Sequence, residues 1–269
     1  MNSYFMRLFL FIFIIILLFF IILYYERNNE RKNEKYNYIK QKNRIIVSMT
    51  TIPERINIIH KTLDSLQNQT FKPDIIYIHI GKELKNKDYP TNELNRLKDI
   101  INNYSNVRLN IIEKDLGPIT KVIPVLPFIN DNDYLILADD DVSYKPNMIE
   151  YLVKSDQIAV GYAGRKNLEF ITGKSYTGTV DFLETYAGVL YRNNILQGLD
   201  EYYKEVADLC KFQDDIVIGS FVRRKGENPF IISYDLQSHH DAGDTPQLSN
   251  FNLKDGNKIC YDRIFTKYN

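Results

Sequence analysis

The sequence predicts an α/β fold built on a mostly parallel sheet with flanking helices. Two observations carry that prediction: apolar β-branched runs alternate with helically spaced segments, and acidic or Gly-Pro segments stand directly after the strands. A third feature, a long uncharged N-terminal stretch, predicts a membrane helix ahead of that fold.

The alternation begins at Arg44. Ile45 to Ser48 is a short apolar run, a candidate buried strand, broken by Pro53. Ile56, Ile59, Leu63 and Leu66 then recur at helical spacing. Ile75 to Ile80 is a second strand, stopped by Gly81; Leu94, Leu97, Ile100 and Ile101 mark a second amphipathic helix. Val107 to Ile112 and Tyr134 to Ala138 are the third and fourth strands, separated by an apolar segment with Pro124, and Met148 to Val153 reads as one or two helical turns. Strand and helix in alternation signify a parallel sheet, whose ligands sit outside the carboxyl ends of the strands. The part beyond Ile158 is less regular, with Gly161, Gly164, Gly173 and Gly178 suggesting loops and short strands. A helix is expected from near Asp214 to Arg224, closed by Gly226.

The chain has 269 residues, with 34 Lys plus Arg against 34 Asp plus Glu. A charge balance of zero argues against a nucleic-acid partner, whose phosphates need a basic excess. The 18 residues from Leu8 to Tyr25 carry no charge. As a helix they cover about 27 Å, close to the hydrocarbon thickness of a bilayer. No small-residue cleavage site ends the run, so a retained anchor is expected over residues 1–25, a polar stalk over 26–43 and a catalytic domain over 44–269. The protein is therefore expected in a membrane, single-pass. The side is open: seven Lys and Arg between Arg27 and Arg44 place the body in the cytoplasm, while the sequons at Asn68 and Asn103 lean the other way. Cys210 and Cys260 can form one bridge or none.

The post-strand segments hold the candidate chemistry. Asp139, Asp140 and Asp141 follow the fourth strand. Three adjacent carboxylates repel one another, and a divalent ion is the natural counterion; oxygen ligands suit Mn²⁺ or Mg²⁺ completed by substrate phosphates. In extended backbone Asp139 and Asp141 would share a face and Asp140 would point elsewhere. The plain alternative is a solvated acidic turn. Asp214 and Asp215 open the helix near 214–224, where its N–H groups favour one carboxylate and leave the other for work as a general base. Lys121 ends Asp115-Leu116-Gly117-Pro118-Ile119-Thr120-Lys121 and can neutralise a diphosphate. Thr50, Thr51 and Arg55 suit a nucleoside after the first strand, or else an N-cap with Pro in the first turn. His239 and His240 offer imidazole for a metal, at most one of them for a given ion.

Taken in order, Ile46 to Arg55, Leu116 to Lys121, Tyr134 to Tyr144 and Gln213 to Gly226 resemble the nucleotide-sugar glycosyltransferases of the GT-A fold (Rossmann-like), family 2-like in particular. That resemblance implies a metal-dependent transfer of sugar from a nucleotide-diphosphate donor to a hydroxyl of a glycan, protein or lipid acceptor, with inversion. It gives the acidic triplet the D-x-D role, with Asp139 and Asp141 on the metal. Thr50, Thr51, Arg55, Lys121, Asp139 and Asp140 become the expected donor contacts. Asp215 takes the role of base with Asp214 beside it, and His239 or His240 completes the metal site. The acceptor is expected near Tyr186, Ala187, Gly188 and Val189. Two other readings compete: a phosphohydrolase or nucleotidyltransferase on an α/β sheet, and an anchored nucleotide-sugar binder without catalysis. Thr50-Thr51 in place of an Asp motif after the first strand, and the lack of a Walker-type glycine loop, weigh against the first.

Overall fold

The structure is a computed structural model, and it describes residues 11–27, 43–84, 87–192, 194–234, 239–240 and 256–265. It divides into two units, residues 1–43 and 44–269. In the first, residues 11–27 are helical and every one of them is exposed. Among the described residues, no helix is long and apolar enough to cross a membrane.

The second unit is organised by a nine-stranded sheet. Its centre is β1 (Ile45–Thr50), paired in parallel with β2 (Ile75–Leu84) on one side and with β4 (Tyr134–Leu137) on the other. A third parallel strand, β3 (Val107–Lys114), extends the sheet beyond β2. Ile45 to Met49 and all of β4 are buried. Unbroken apolar runs of this kind belong to strands covered on both faces, which is why these strands are parallel and joined by helices. The covering helices are α1 (Ile59–Gln67), which buries Ile59, Leu63 and Leu66, and α2 (Thr91–Ile101), which buries Leu97 and Ile101.

Beyond β4 the sheet turns mixed. After α3 (Met148–Lys154) come β5 (Ala159–Gly161) and β6 (Val189–Tyr191); β6 runs antiparallel to both β4 and β5. A three-stranded side sheet is made by 163–166, 169–172 and 182–183. Two helices then pack together, α4 (Leu199–Cys210) and α5 (Asp214–Arg224). β7 (Phe230–Ile231) lies parallel to β5, and α6 (Gly256–Phe265) packs on α4 and α5. Cys210 and Cys260 form a disulfide that fastens α4 to α6.

This topology fixes where a ligand can sit. From β1 the chain moves outward through β2 to β3, then returns past β1 to β4 on its other side. The strand order reverses between β1 and β4, and such a reversal opens a crevice at the carboxyl ends of the two strands. Thr50-Thr51 and Asp139-Asp140-Asp141 stand at that rim.

Candidate active site

The rim is built from backbone outward. Ala138 N–H donates to the Ser48 carbonyl at 3.1 Å, the last rung between β4 and β1. The chain then leaves the sheet: Asp139 N–H bonds Tyr144 Oη at 2.8 Å, and the Asp140 carbonyl accepts from Thr62 Oγ1 at 2.9 Å. The triplet is thus a turn held from both sides rather than an extended run.

That turn regroups the carboxylates. Arg55 Nη1 donates to Asp140 Oδ1 at 2.8 Å, and Nη2 pairs with Asp141 Oδ2 at 3.1 Å. Asp139 goes instead to Lys121, with Nζ 2.5 Å from its Oδ1. The expectation that Asp139 and Asp141 share a face while Asp140 stands apart gives way to Asp140 and Asp141 on one guanidinium and Asp139 on a different cation. The reason is local: the alternation rule holds for extended backbone, and this backbone bends.

Lys121 ends the 3-10 turn Gly117–Lys121, where Gly117 at φ +80° lets the chain double back after β3. Its carbonyl accepts from Ser48 Oγ at 2.5 Å, so the turn is pinned to the centre of β1. Its ammonium is buried, donates to Asp139 and to Thr185 Oγ1 at 2.9 Å, and forms an ion pair with Asp214 Oδ2 at 3.2 Å. Asp214 and Asp215 occupy the first turn of α5, as the sequence predicts. Asp215 Oδ1 accepts from the Thr185 N–H at 3.2 Å. The acidic elements at 139–141 and 214–215 therefore meet in one place.

Five carboxylates gather around two cations, Arg55 and Lys121, so the cluster is strongly negative when ionised. Its acids respond accordingly. Burial, then the charges of Asp139 and Asp140, pushes Asp141 up to about 6. Asp140 is raised by burial, against the pull of Arg55. Asp214 is raised by burial, Lys121 opposing; Asp215 is raised well above the usual carboxylate range by burial, then by Asp214 and Glu184. For Lys121 burial works against the charge, yet Asp139, Asp214 and Asp215 outweigh it and its pKa rises.

A divalent cation suits this chemistry. The donors are hard carboxylate oxygens, and Asp140 Oδ2 is buried with no hydrogen-bond partner among the described residues. Among the described residues no three His, Cys, Asp or Glu side chains are arranged as a metal cage. His239 and His240 pair in antiparallel register with Ser143 and Val142, the two residues that follow Asp141.

The remaining expected residues are placed as follows. Thr50 Oγ1 donates to the His79 carbonyl at 2.8 Å, a bond within the sheet, and Thr51 is buried beside Asp140. Arg55 and Lys121 are committed to carboxylates. Tyr186 and Ala187 lie in the 3-10 turn Thr185–Ala187, Gly188 follows it, and Val189 starts β6. Thr185 itself, which touches Asp215 directly and Asp139 only through Lys121, escaped sequence reasoning. So did Glu184, close enough to Asp215 to raise its pKa, and Thr62. No spacing rule selects a lone threonine between two short strands.

Solved structures share this architecture. The fold is of the GT-A type. The TarS fragment 1–349 of S. aureus is 13% identical over 74% of this chain and 60% of its own, with a TM-score of 0.53. The mannosyltransferase PcManGT of Pyrobaculum calidifontis, solved with GDP-Man and Mn²⁺, is 12% identical over 76% of this chain and 62% of its own, with a TM-score of 0.51. The chain spans about three fifths of the length of these GT-A structures. No protein-family profile matches it, and no curated protein does.

Proposed function

We propose that the chain is a membrane-anchored, metal-dependent glycosyltransferase that moves a sugar from a nucleotide-diphosphate donor to an acceptor hydroxyl of a glycan, protein or lipid, with inversion. The observation that carries this reading is the convergence of Asp139 and Asp214, with Asp215 beside it, on one buried lysine at the switch point of a GT-A sheet. TarS has been solved with UDP-GlcNAc and PcManGT with GDP-Man and Mn²⁺, which supports a nucleotide-sugar donor here.

In this reading Asp139 and Asp141 would hold Mn²⁺ or Mg²⁺, with His239 or His240 beside them. The ion supplies charge neutralisation on the leaving diphosphate. Arg55 holds Asp140 and Asp141 in their turn, and Thr50 and Thr51 stand at the strand end where the nucleoside would bind. Lys121 contributes positive charge next to Asp139, where the diphosphate arrives. Asp215 takes the proton from the acceptor hydroxyl; burial and the charges of Asp214 and Glu184 hold its carboxyl above the usual range, which favours its taking up a proton. Asp214 keeps Lys121 beside it.

Residues 11–25 expose an unbroken series of large apolar side chains, Phe11 to Tyr25, which supports an anchor in a single-pass protein. The Cys210–Cys260 bridge supports a catalytic domain on the oxidising side of that membrane, against the Lys and Arg count. Donor turnover tested across UDP-, GDP- and CMP-sugars with Mn²⁺ should find one that is used, with chelator abolishing it and Asp141→Ala inactive but folded. Full activity in Asp141→Ala would remove the metal assignment. Hydrolysis of phosphomonoesters without any sugar transfer would favour a phosphatase.

A further inference from the structure

Thr185 is an uncharged residue that joins the two halves of the acidic cluster through Lys121. Its hydroxyl is buried and accepts from Lys121 Nζ at 2.9 Å. Its main-chain N–H donates to Asp215 Oδ1 at 3.2 Å. The same ammonium reaches Asp139 at 2.5 Å and Asp214 at 3.2 Å. A path of direct contacts therefore runs from Asp139 through Lys121 and Thr185 to Asp215, across segments far apart in sequence.

The turn that presents Thr185 is fixed independently of the cluster. Phe182–Leu183 is a strand of the side sheet, and Val189–Tyr191 sits in the main sheet between β4 and β5. Between them Gly188 adopts φ +85°, a conformation that other residues rarely take. A Cβ there would also lie 2.9 Å from Met148 Sδ. Thr185 thus hangs from two sheets, and its hydroxyl and N–H point at groups anchored elsewhere.

We infer that Thr185 is a positioning residue that sets the separation between the carboxylate on the metal side, Asp139, and the proposed base, Asp215, acting through Lys121. This rests on the proposed transferase reading and adds to it a residue that touches neither ion nor substrate. A lysine ammonium is a point charge with freely turning donors and selects no geometry alone. The hydroxyl gives it a third fixed acceptor and so fixes where the two acids are held.

The experiment compares Thr185→Val, which keeps shape and the N–H but removes the hydroxyl, with Thr185→Ser, which restores the hydroxyl. For Thr185→Val the expected result is a fall in kcat of about 30-fold or more, with the donor KM within about threefold of wild type. Thr185→Ser should recover most of kcat. Unchanged kcat in Thr185→Val, or a raised donor KM with kcat intact, overturns the inference. If Thr185→Val does not fold, Thr185→Ala makes the same deletion. A crystal structure of the hydroxyl-less variant is the second arm and needs no turnover. Lys121 Nζ should leave its place and the distance between the Asp139 and Asp215 carboxylates should change; Nζ in place with that distance unchanged overturns the inference. Absence of sugar transfer by wild-type protein would overturn the reading of the reaction, while the crystallographic arm would still decide the role of Thr185.

Discussion

Two cations serve the acidic cluster, Lys121 buried and Arg55 partly exposed, and they do so in different ways. Arg55 grips Asp140 and Asp141, neighbours in one turn, with the two prongs of its guanidinium. Lys121 reaches Asp139, Thr185 and Asp214, three segments that no local rule would bring together. The arginine shapes a loop, whereas the lysine assembles a site. The difference follows from side-chain chemistry: a planar fork matches paired carboxylates, while an ammonium can be surrounded by acceptors from any direction. Damage on the lysine side should therefore reach both acidic elements, and damage on the arginine side should stay within one of them.

The largest effect is expected at the far end of the lysine network. Asp215→Asn keeps the shape and can still accept the Thr185 N–H, but it removes the proton acceptor. Turnover should fall by roughly 10²- to 10⁴-fold, the usual worth of a positioned base, with donor binding retained. Calorimetric titration of the nucleotide with Mn²⁺, beside the turnover rate, separates the two. If Asp214→Asn is inactive and Asp215→Asn normal, the two roles are exchanged.

Next is the lysine itself. Lys121→Met removes the cation and leaves Asp139 and Asp214 facing each other in a buried site. Breaking a buried pair from one side costs about 3–5 kcal/mol, far more than the net worth of the pair. Urea unfolding should show that loss at neutral pH. Stability equal to wild type would mean that the ammonium is not the common partner of the two acids.

The disulfide tests the shell behind the lysine's partners. It joins α4 to α6 across a separation of 50 residues, and Asp214 begins α5 only four positions after Cys210. Replacing both cysteines by Ser should cost about 2–4 kcal/mol, from the entropy returned to the unfolded chain. A thiol count on the intact protein, denatured without reductant, should find none free; two free thiols would remove both the clip and the argument for an oxidising compartment.

How much of this was legible in the sequence follows the same division. The four parallel strands announce themselves as apolar runs, and the two acidic elements stand at a strand end and a helix start, as read. The mixed flank is different. β5 and β6 have three residues each and β7 has two, too few for any period to register. Helix α4 went unread although Leu199, Tyr202, Tyr203 and Cys210 have helical spacing, because tyrosines are spread through the whole chain. The bend that regroups the triplet depends on Thr62 and Tyr144, and the lysine network on Thr185. These are contacts between segments, and sequence spacing carries no signal for them.

On the β2 side of the rim, His79 allows a pH test. It is fully buried, stacks on Tyr77, and its pKa is lowered by burial to about 4. An unfolded histidine titrates near 6.5, so between about pH 6.5 and 4 the unfolded chain binds the extra proton. The contribution is therefore complete above pH 6.5 and is lost as the pH falls toward 4. Between pH 7 and pH 5 the loss should be about 2 kcal/mol. His79→Phe removes that part of the slope. Carboxylates raised in the same fold act with the opposite sign, so the difference between the two proteins' denaturation midpoints is the measurement. Equal slopes would mean that His79 is not held neutral.

The smallest effect should come from Arg55→Lys, and it sharpens the contrast between the cations. The lysine keeps the charge but cannot bridge Asp140 and Asp141 at once, so one charged hydrogen bond is lost, worth about 1.5–3 kcal/mol before the turn relaxes. Relaxation is available because Thr62 and Tyr144 hold the same turn through its backbone. The net cost should fall toward the lower end. Turnover should drop by less than in any lysine-side variant, since Asp139 and Asp215 are held without Arg55 and the backbone bonds of Thr62 and Tyr144 still hold the turn that carries Asp141. A loss of turnover as deep as that of Lys121→Met would show that the triplet acts as a single body, and the separation into a loop-shaping and a site-assembling cation would fail.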